Sequence, residues 1–282
     1  MFDIYQTITD KIIKKLEEGK IPWKKQWAVE MPKNFLSKKP YSGMNFLLLQ
    51  DLPYKSPYYL TFLQAKQLGG SIKTGEKGHM VIFWKILEFG EDEEDLQTIP
   101  LLRYYTVFNF EQTEGIKPIE EEKINNPIEK CEQIIAEYKT IPKIQYGGAK
   151  AYYSPVQDYI QLPVKDNFDS SEAYYSTLFH ECIHSTGHKS RLDRKEGIEK
   201  THFGSADYSK EELVAEIGSA FLCSKAHIVT KQINSQVAYV QNWIQVLKND
   251  KRFIISAAAK ATKASQYILG EYTKYDTKRS SN

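Results

Sequence analysis

Cysteine is scarce: the 282 residues contain three, Cys131, Cys182 and Cys223. An odd number at unrelated spacings excludes a disulfide framework and a cysteine-based metal knuckle, and it fits a reducing compartment. Nowhere is there a run of about 18 apolar residues, which excludes a membrane-spanning helix. The N-terminal MFDIYQTITDKIIKKLEEG lacks the apolar core of a signal peptide. The expected location is the cytoplasm, with no membrane partner. Net charge is small as well, +2 with a pI near 8.2, so the chain as a whole is neither a polycation nor a polyanion. At 41% hydrophobic and 26% charged residues, intrinsic disorder is excluded too.

What charge there is lies unevenly. Residues 1–85 hold fourteen lysines against seven acids and stand at +7, which leaves the remainder at −5. A basic half on a near-neutral chain suits an anionic partner or a solvated lysine-rich face. The length allows two domains. Ile4, Ile8, Ile12 and Leu16 recur at helical spacing and predict an amphipathic helix over 2–19, ended by Gly19 and Pro22. Short helices are expected at 44–51 and 58–68. Strands are expected at 80–87 and 102–110, with the acidic run 91–95 between them as a hairpin tip. The polar stretch 117–127, with a proline at each end, reads as a linker. Beyond it the pattern predicts a helix at 128–139, a strand pair within 147–163, and helices near 170–187, 209–226, 234–249 and 251–270. The fold class is α+β: a small α+β domain over 1–117, a linker at 118–127, and a mostly helical domain with a short sheet over 128–282.

The strongest chemical signal is His180-Glu181-Cys182-Ile183-His184 on the helix expected at 170–187. Residues four apart share a helix face, so both imidazoles can reach one ion, and Glu181 can serve as general base toward a water on that ion. Asp169, Ser170 or Ser171 can cap the helix start, and Gly187 can end it. A third histidine in the HExxHxxGxxH pattern would fall at Ser190, which excludes that arrangement. The third ligand is then a glutamate of the helix at 209–226. Glu216, set among small and apolar residues, is favoured over Glu212, because a buried carboxylate needs a cation beside it. The implied ion is Zn2+, although Mn2+ and Co2+ fit the same donors. Tyr208, His188, His202 and His227 are open as hydrogen-bond donors to a developing oxyanion.

The runs YYSTLFHECIHSTGHKSRLDR (174–194), FGSADYSKEELVAEIGSAFLC (203–223) and WIQVLKNDKRFIISAAAKATKA (243–264) resemble the ArdC-like antirestriction family of bacterial plasmids and other mobile elements. In the first half IPWKKQW, KPYSGMN, GGSIKTGEKG, VIFWK and YYTVFNFEQTEG are similar to the family's N-terminal domain. The resemblance implies a single-stranded-DNA-binding domain followed by a zincin-like metallopeptidase domain. It also implies metal on His180, His184 and Glu216, and Glu181 as the catalytic glutamate.

Strand binding without sequence preference needs cations for phosphates and flat rings for bases. The first half interleaves them. The candidate DNA contacts are Trp23, Lys24, Lys25, Lys38, Lys39, Tyr41, Lys73 and Lys77, with Trp27, Lys85 and Trp84 nearby. Of the adjoining Phe83 and Trp84, one is expected to be buried. Single-stranded DNA is the expected partner, with duplex DNA as an alternative. Two further readings stay open: a DNA-binding protein whose zinc site is structural or vestigial, and a peptidase with no nucleic-acid role.

Overall fold

The computed structural model describes residues 2–24, 30–89, 97–119, 126–194, 206–229 and 237–272. Lys25, Trp27, the acidic run 91–95 and His202 lie outside them. The class is α+β, as expected.

Asp3 caps helix α1 (Ile4–Glu17) by accepting from the Gln6 main chain. The predicted apolar stripe, Ile8, Ile12, Ile13 and Leu16, is buried. After β1 (Lys33–Asn34) comes α2 (Met44–Gln50) and then β2 (Tyr58–Leu60), at a place where the pattern predicts helix from residue 58. Thr61 is the reason: it makes a capping box with Gln64, so α3 (Phe62–Gln67) cannot begin earlier. Past β3 (Ser71–Ile72), the long strands β4 (His79–Phe89) and β5 (Gln97–Asn109) form an antiparallel ribbon. The first sheet has the order β1-β2-β5-β4, and β6 (Thr113–Glu114) pairs separately with β3.

The second half opens with α4 (Pro127–Glu137), then β7 (Lys143–Tyr146), β8 (Tyr152–Ser154) and β9 (Tyr159–Leu162). In their sheet the order is β7-β9-β8, with β7 parallel to β9 and β8 antiparallel at the edge. Four helices complete the molecule: α5 (Ser171–Thr186), α6 (Ala206–Ala226), α7 (Val237–Asn249) and α8 (Phe253–Ile268). None among the described residues is long and apolar enough to cross a membrane.

The two halves share one core. The buried face of α1, together with Met44, Phe46 and Leu47 of α2, belongs to the same apolar cluster as Phe179, Leu213, Phe221, Trp243 and Ile254. Phe46 meets Phe221 edge-on at 4.4 Å between ring centroids, and Trp23 meets Trp243 at 5.5 Å. Gly43 donates its main-chain N–H to Thr262 Oγ1 at 2.9 Å, and Thr9 Oγ1 donates to the Lys251 carbonyl at 2.7 Å. In the second half α6 runs against α5 with Gly218 at the closest approach, where an added Cβ would lie 2.8 Å from the Ile183 side chain. That closeness carries α6 past the face of α5 that holds the two histidines.

Candidate metal centre

Ser170 caps α5 by accepting from the Ala173 main chain, which sets the register of the whole helix. His180 and His184 then lie one turn apart with their rings edge to face and their Nε2 atoms 3.1 Å from each other. Glu212 of α6 faces both. Its Oε2 is 3.5 Å from His180 Nε2, and its Oε1 is 3.3 Å from His184 Nε2. One ligand atom from each of the three lies within 4.8 Å of the others, the only such trio among the described residues. Three donors aimed at one point, two of them nitrogens in mutual contact, make a half-shell that fits a divalent cation.

Glu216, the glutamate favoured from the sequence, is not in this trio. Its Oε2 lies 3.4 Å from Lys24 Nζ, and both side chains are about 11% exposed. The physical premise holds, since Glu216 is largely shielded from water and does have a cation beside it. That cation is an ammonium group from the other half of the chain. Glu212, one turn earlier on the same face, is the carboxylate at the imidazoles.

Burial opposes protonation of the imidazoles, yet hydrogen bonding and charge from Glu212 lift His180 above its ordinary value and carry His184 well above it. Conversely, burial works to raise the Glu212 carboxyl, but the two histidine rings hold it far below the usual range. Glu181 is different. Burial pushes its carboxyl up, and the histidines and the nearby Tyr153 main chain offset this only in part. Tyr153 sits on β8, so that strand borders the site.

Several supporting residues have no motif to announce them. Glu211, next to Glu212, is 7% exposed and places Oε1 3.6 Å from His184 Nδ1. Arg194 holds Glu211 in turn: its Nη2 donates to Oε1 at 2.6 Å and also to the Ile183 carbonyl, while its Nη1 donates to Thr186 Oγ1. This is the carboxylate-behind-histidine arrangement that orients the ring with Nε2 toward Glu212. Arg191 ties β8 and β9 to the end of α5. It donates to the Ser185 carbonyl at 2.6 Å, to Tyr153 Oη at 3.0 Å and to both Asp158 oxygens. The signal for these residues was the charge pair in SRLDR and the doubled glutamate in KEEL, neither of which is specific on its own.

Among the proposed oxyanion donors, Tyr208 is one turn before Glu212 on α6. His188 pairs through Nδ1 with Ser190 Oγ at 2.8 Å. His227 lies past the end of α6 with a positive φ of 57°.

The candidate DNA contacts divide. Trp23 is fully buried against Trp243, and Tyr41 is 8% exposed in a cluster with Tyr59, Val81 and Val107, so both are core residues. Lys24 is drawn inward to Glu216. Lys38, Lys39, Lys73 and Lys77 are exposed on two loops. Lys38 lies over the Phe35 ring at 4.7 Å, and Lys73 donates to the Glu111 carbonyl at 2.7 Å. Phe83 and Trp84 are both exposed, at 42% and 50%, because the β4–β5 ribbon extends past the rest of its sheet with solvent on two sides.

Two family models match the chain in succession: the N-terminal domain of the anti-restriction factor ArdC over residues 2–108, and a zincin-like metallopeptidase domain over 129–260. The chain is 33% identical to a Sinorhizobium fredii protein over 94% of its own length and 91% of that protein. It is 34% identical to the Escherichia coli DNA primase TraC over 94% of its length, but spans only 27% of that much longer relative. Among solved structures, the metal-free antirestriction protein ArdC of plasmid R388 is 37% identical, with a TM-score of 0.80 across 96% of this chain and 98% of the other. The Mn(II)-bound form of the same protein is 36% identical, with a TM-score of 0.79 across 97% and 100%. With both models matched in order and the whole architecture shared, this chain belongs to the ArdC antirestriction family and carries its zincin-like domain.

Proposed function

We propose that this chain is a DNA-binding antirestriction protein whose second half is a metal-dependent peptidase centred on His180, His184 and Glu212. The observation that carries the reading is the convergence of those three side chains, with the Glu181 carboxylate buried beside them. Zn2+ suits two imidazoles and a carboxylate, and the Mn(II)-bound relative supports a site that also accepts Mn2+. When bound, such a cation supplies Lewis acidity to a water and to a carbonyl oxygen.

The chain's own residues do the rest. Glu181 takes a proton from water in the cleft and returns it to the departing amine, and a carboxyl raised by burial suits both directions of that exchange. Glu211 and Arg194 hold the His184 ring in place. Among the described residues β8 pairs only with β9, so its outer edge is available to an extended peptide, which can add as a further strand alongside Glu181. The substrate class is therefore an unfolded or looped protein segment. The basic first half holds DNA, and single strands suit it best.

Metal analysis, peptide hydrolysis and protection of incoming DNA, measured on wild type and on Glu181→Gln, test the reading. About one metal ion per chain in both proteins is expected, with hydrolysis lost in the variant. Hydrolysis that survives Glu181→Gln would overturn the assigned base. A wild type that holds metal yet cleaves no unfolded protein would reduce the centre to a structural one.

A further inference from the structure

The β4–β5 ribbon has two unlike faces. Its register runs from His79 opposite Val107 to Phe89 opposite Gln97. Alternation along a strand, with cross-strand partners sharing a side, puts Val81, Phe83 and Lys85 on one face with Leu101, Arg103, Tyr105 and Val107. At the base of that face Val81 and Val107 are covered by Tyr41, Leu49 and Tyr59. Farther out the cover ends. Phe83 is 42% exposed and Tyr105 36%, with ring centroids 5.7 Å apart, on the diagonal of the ladder. Arg103 lies directly opposite Phe83, and Lys85 follows on the same side. Both cations are exposed, and among the described residues neither has an acidic partner. No acid occurs on this face between 81 and 87 or between 99 and 107. The opposite face carries Ile82 and Leu102 in the main core and Tyr104 against the Phe2 ring at 5.3 Å, with no lysine or arginine among Ile82, Trp84, Leu102 and Tyr104.

Two neighbouring flat rings left in water, bracketed by two cations that have no acidic partner among the described residues, are poor for solubility and good for one class of ligand. Resting on the DNA-binding reading above, we propose that Phe83 and Tyr105 form the platform on which bases of a single strand stack, with Lys85 and Arg103 meeting the flanking phosphates. Duplex DNA hides its base faces, so the rings select an unpaired strand. Asn45 braces the ribbon for this role. Its side chain donates to the Ile82 carbonyl at 2.8 Å and accepts from the Ile82 N–H at 2.7 Å, which fixes the outer edge of β4.

The test uses the full chain and a labelled thymidine oligonucleotide, read by fluorescence anisotropy. The double variant Phe83→Leu/Tyr105→Leu keeps apolar strand residues and removes only the rings. Binding is expected to weaken roughly tenfold or more, with melting temperature and metal content unchanged. Lys85→Gln/Arg103→Gln is expected to reduce the log–log salt slope by about 1.4, two phosphates at about 0.7 each. Trp84→Leu, on the other face, is expected to bind like wild type. If wild type binds and the ring variant binds equally well, the platform is elsewhere while the DNA-binding reading stands. A loss in Trp84→Leu instead moves the contact to the opposite face and overturns the assignment. An equal loss on a duplex of the same length shows that the rings do not stack on bases, and also overturns it. If wild type binds no oligonucleotide, both readings fall and this face is left for a protein partner.

Discussion

Lys24 and Glu216 form an ion pair between the two halves of the chain, 3.4 Å from Nζ to Oε2 and largely shielded from water. Since Glu216 stands one helical turn from Glu212, this contact brings the first half of the chain beside the metal centre. Glu216→Gln removes the charge while keeping the shape. The expected result is a stability loss of about 1–3 kcal/mol in urea unfolding, with metal content unchanged. Loss of metal from this variant would restore Glu216 as a ligand.

Glu212→Ala makes the opposite prediction. It removes one of three donors and is expected to abolish stoichiometric metal binding, measured by elemental analysis after dialysis. Folding should persist, because the buried core residues of α5 and α6, Phe179, Ile183 and Ile217, are untouched.

Glu181→Gln is expected to keep the metal and to lower peptide hydrolysis by about 10²–10⁴. DNA affinity should not change. Hydrolysis of a denatured protein substrate beside oligonucleotide anisotropy on the same preparation checks both halves of the claim.

Glu211→Gln leaves the three ligands in place but weakens the hold on the His184 Nδ1–H. Metal affinity is expected to fall about 10–100-fold by competition with a chelating dye. Arg194→Ala should act in the same direction, because it frees the Glu211 carboxylate.

The Arg191–Asp158 clamp carries a pH signature. Burial works to raise Asp158, but hydrogen bonds from Arg191 and Tyr153, together with charge from Arg191 and His188, hold its carboxyl below the ordinary value. A group lowered on folding stabilises fully above its unfolded value and loses that contribution as pH falls through the folded one. Wild type should therefore exceed Asp158→Asn by about 1–2 kcal/mol from neutral pH down to about 5, and the gap should narrow as pH falls below about 4 toward the lowered folded value. Asparagine tolerates the positive φ of 50° at this position, so the comparison isolates charge. Urea unfolding at neutral pH and near 3.5 reads the difference.

Much of the site was legible because it is local. The histidine pair shares one helix turn, and α5 starts within a residue of the cap that the sequence offered. The strand pair before it was also visible, because Tyr159–Leu162 alternates between partly and fully buried positions. What the sequence hid depends on partners far along the chain. Neighbouring residues make Glu212 and Glu216 equally plausible ligands, and only the crossing point set by Gly218 against Ile183 decides which turn of α6 meets the imidazoles. Trp23 sits in a lysine-flanked motif that reads as a nucleic-acid contact. Its ring instead fills the core against Trp243, 220 positions later. The stripe of α1 was evident, but nothing in its spacing names a partner, and that partner is largely α7. The exposure of both Phe83 and Trp84 escaped notice because a single strand pattern does not show how far a ribbon outruns its sheet.

The common core also constrains how such a chain can be inherited. A recombination event between the two family domains would part α1 from α7 and leave Ile8, Ile12 and Leu16 facing water on one product and Trp243 uncovered on the other. Neither fragment would be a ready-made gene. The two regions are then expected to move between replicons as one cassette, with additional segments gained only outside it. The match to TraC has that form: 94% of this chain, both regions in order, lies within 27% of a longer polypeptide.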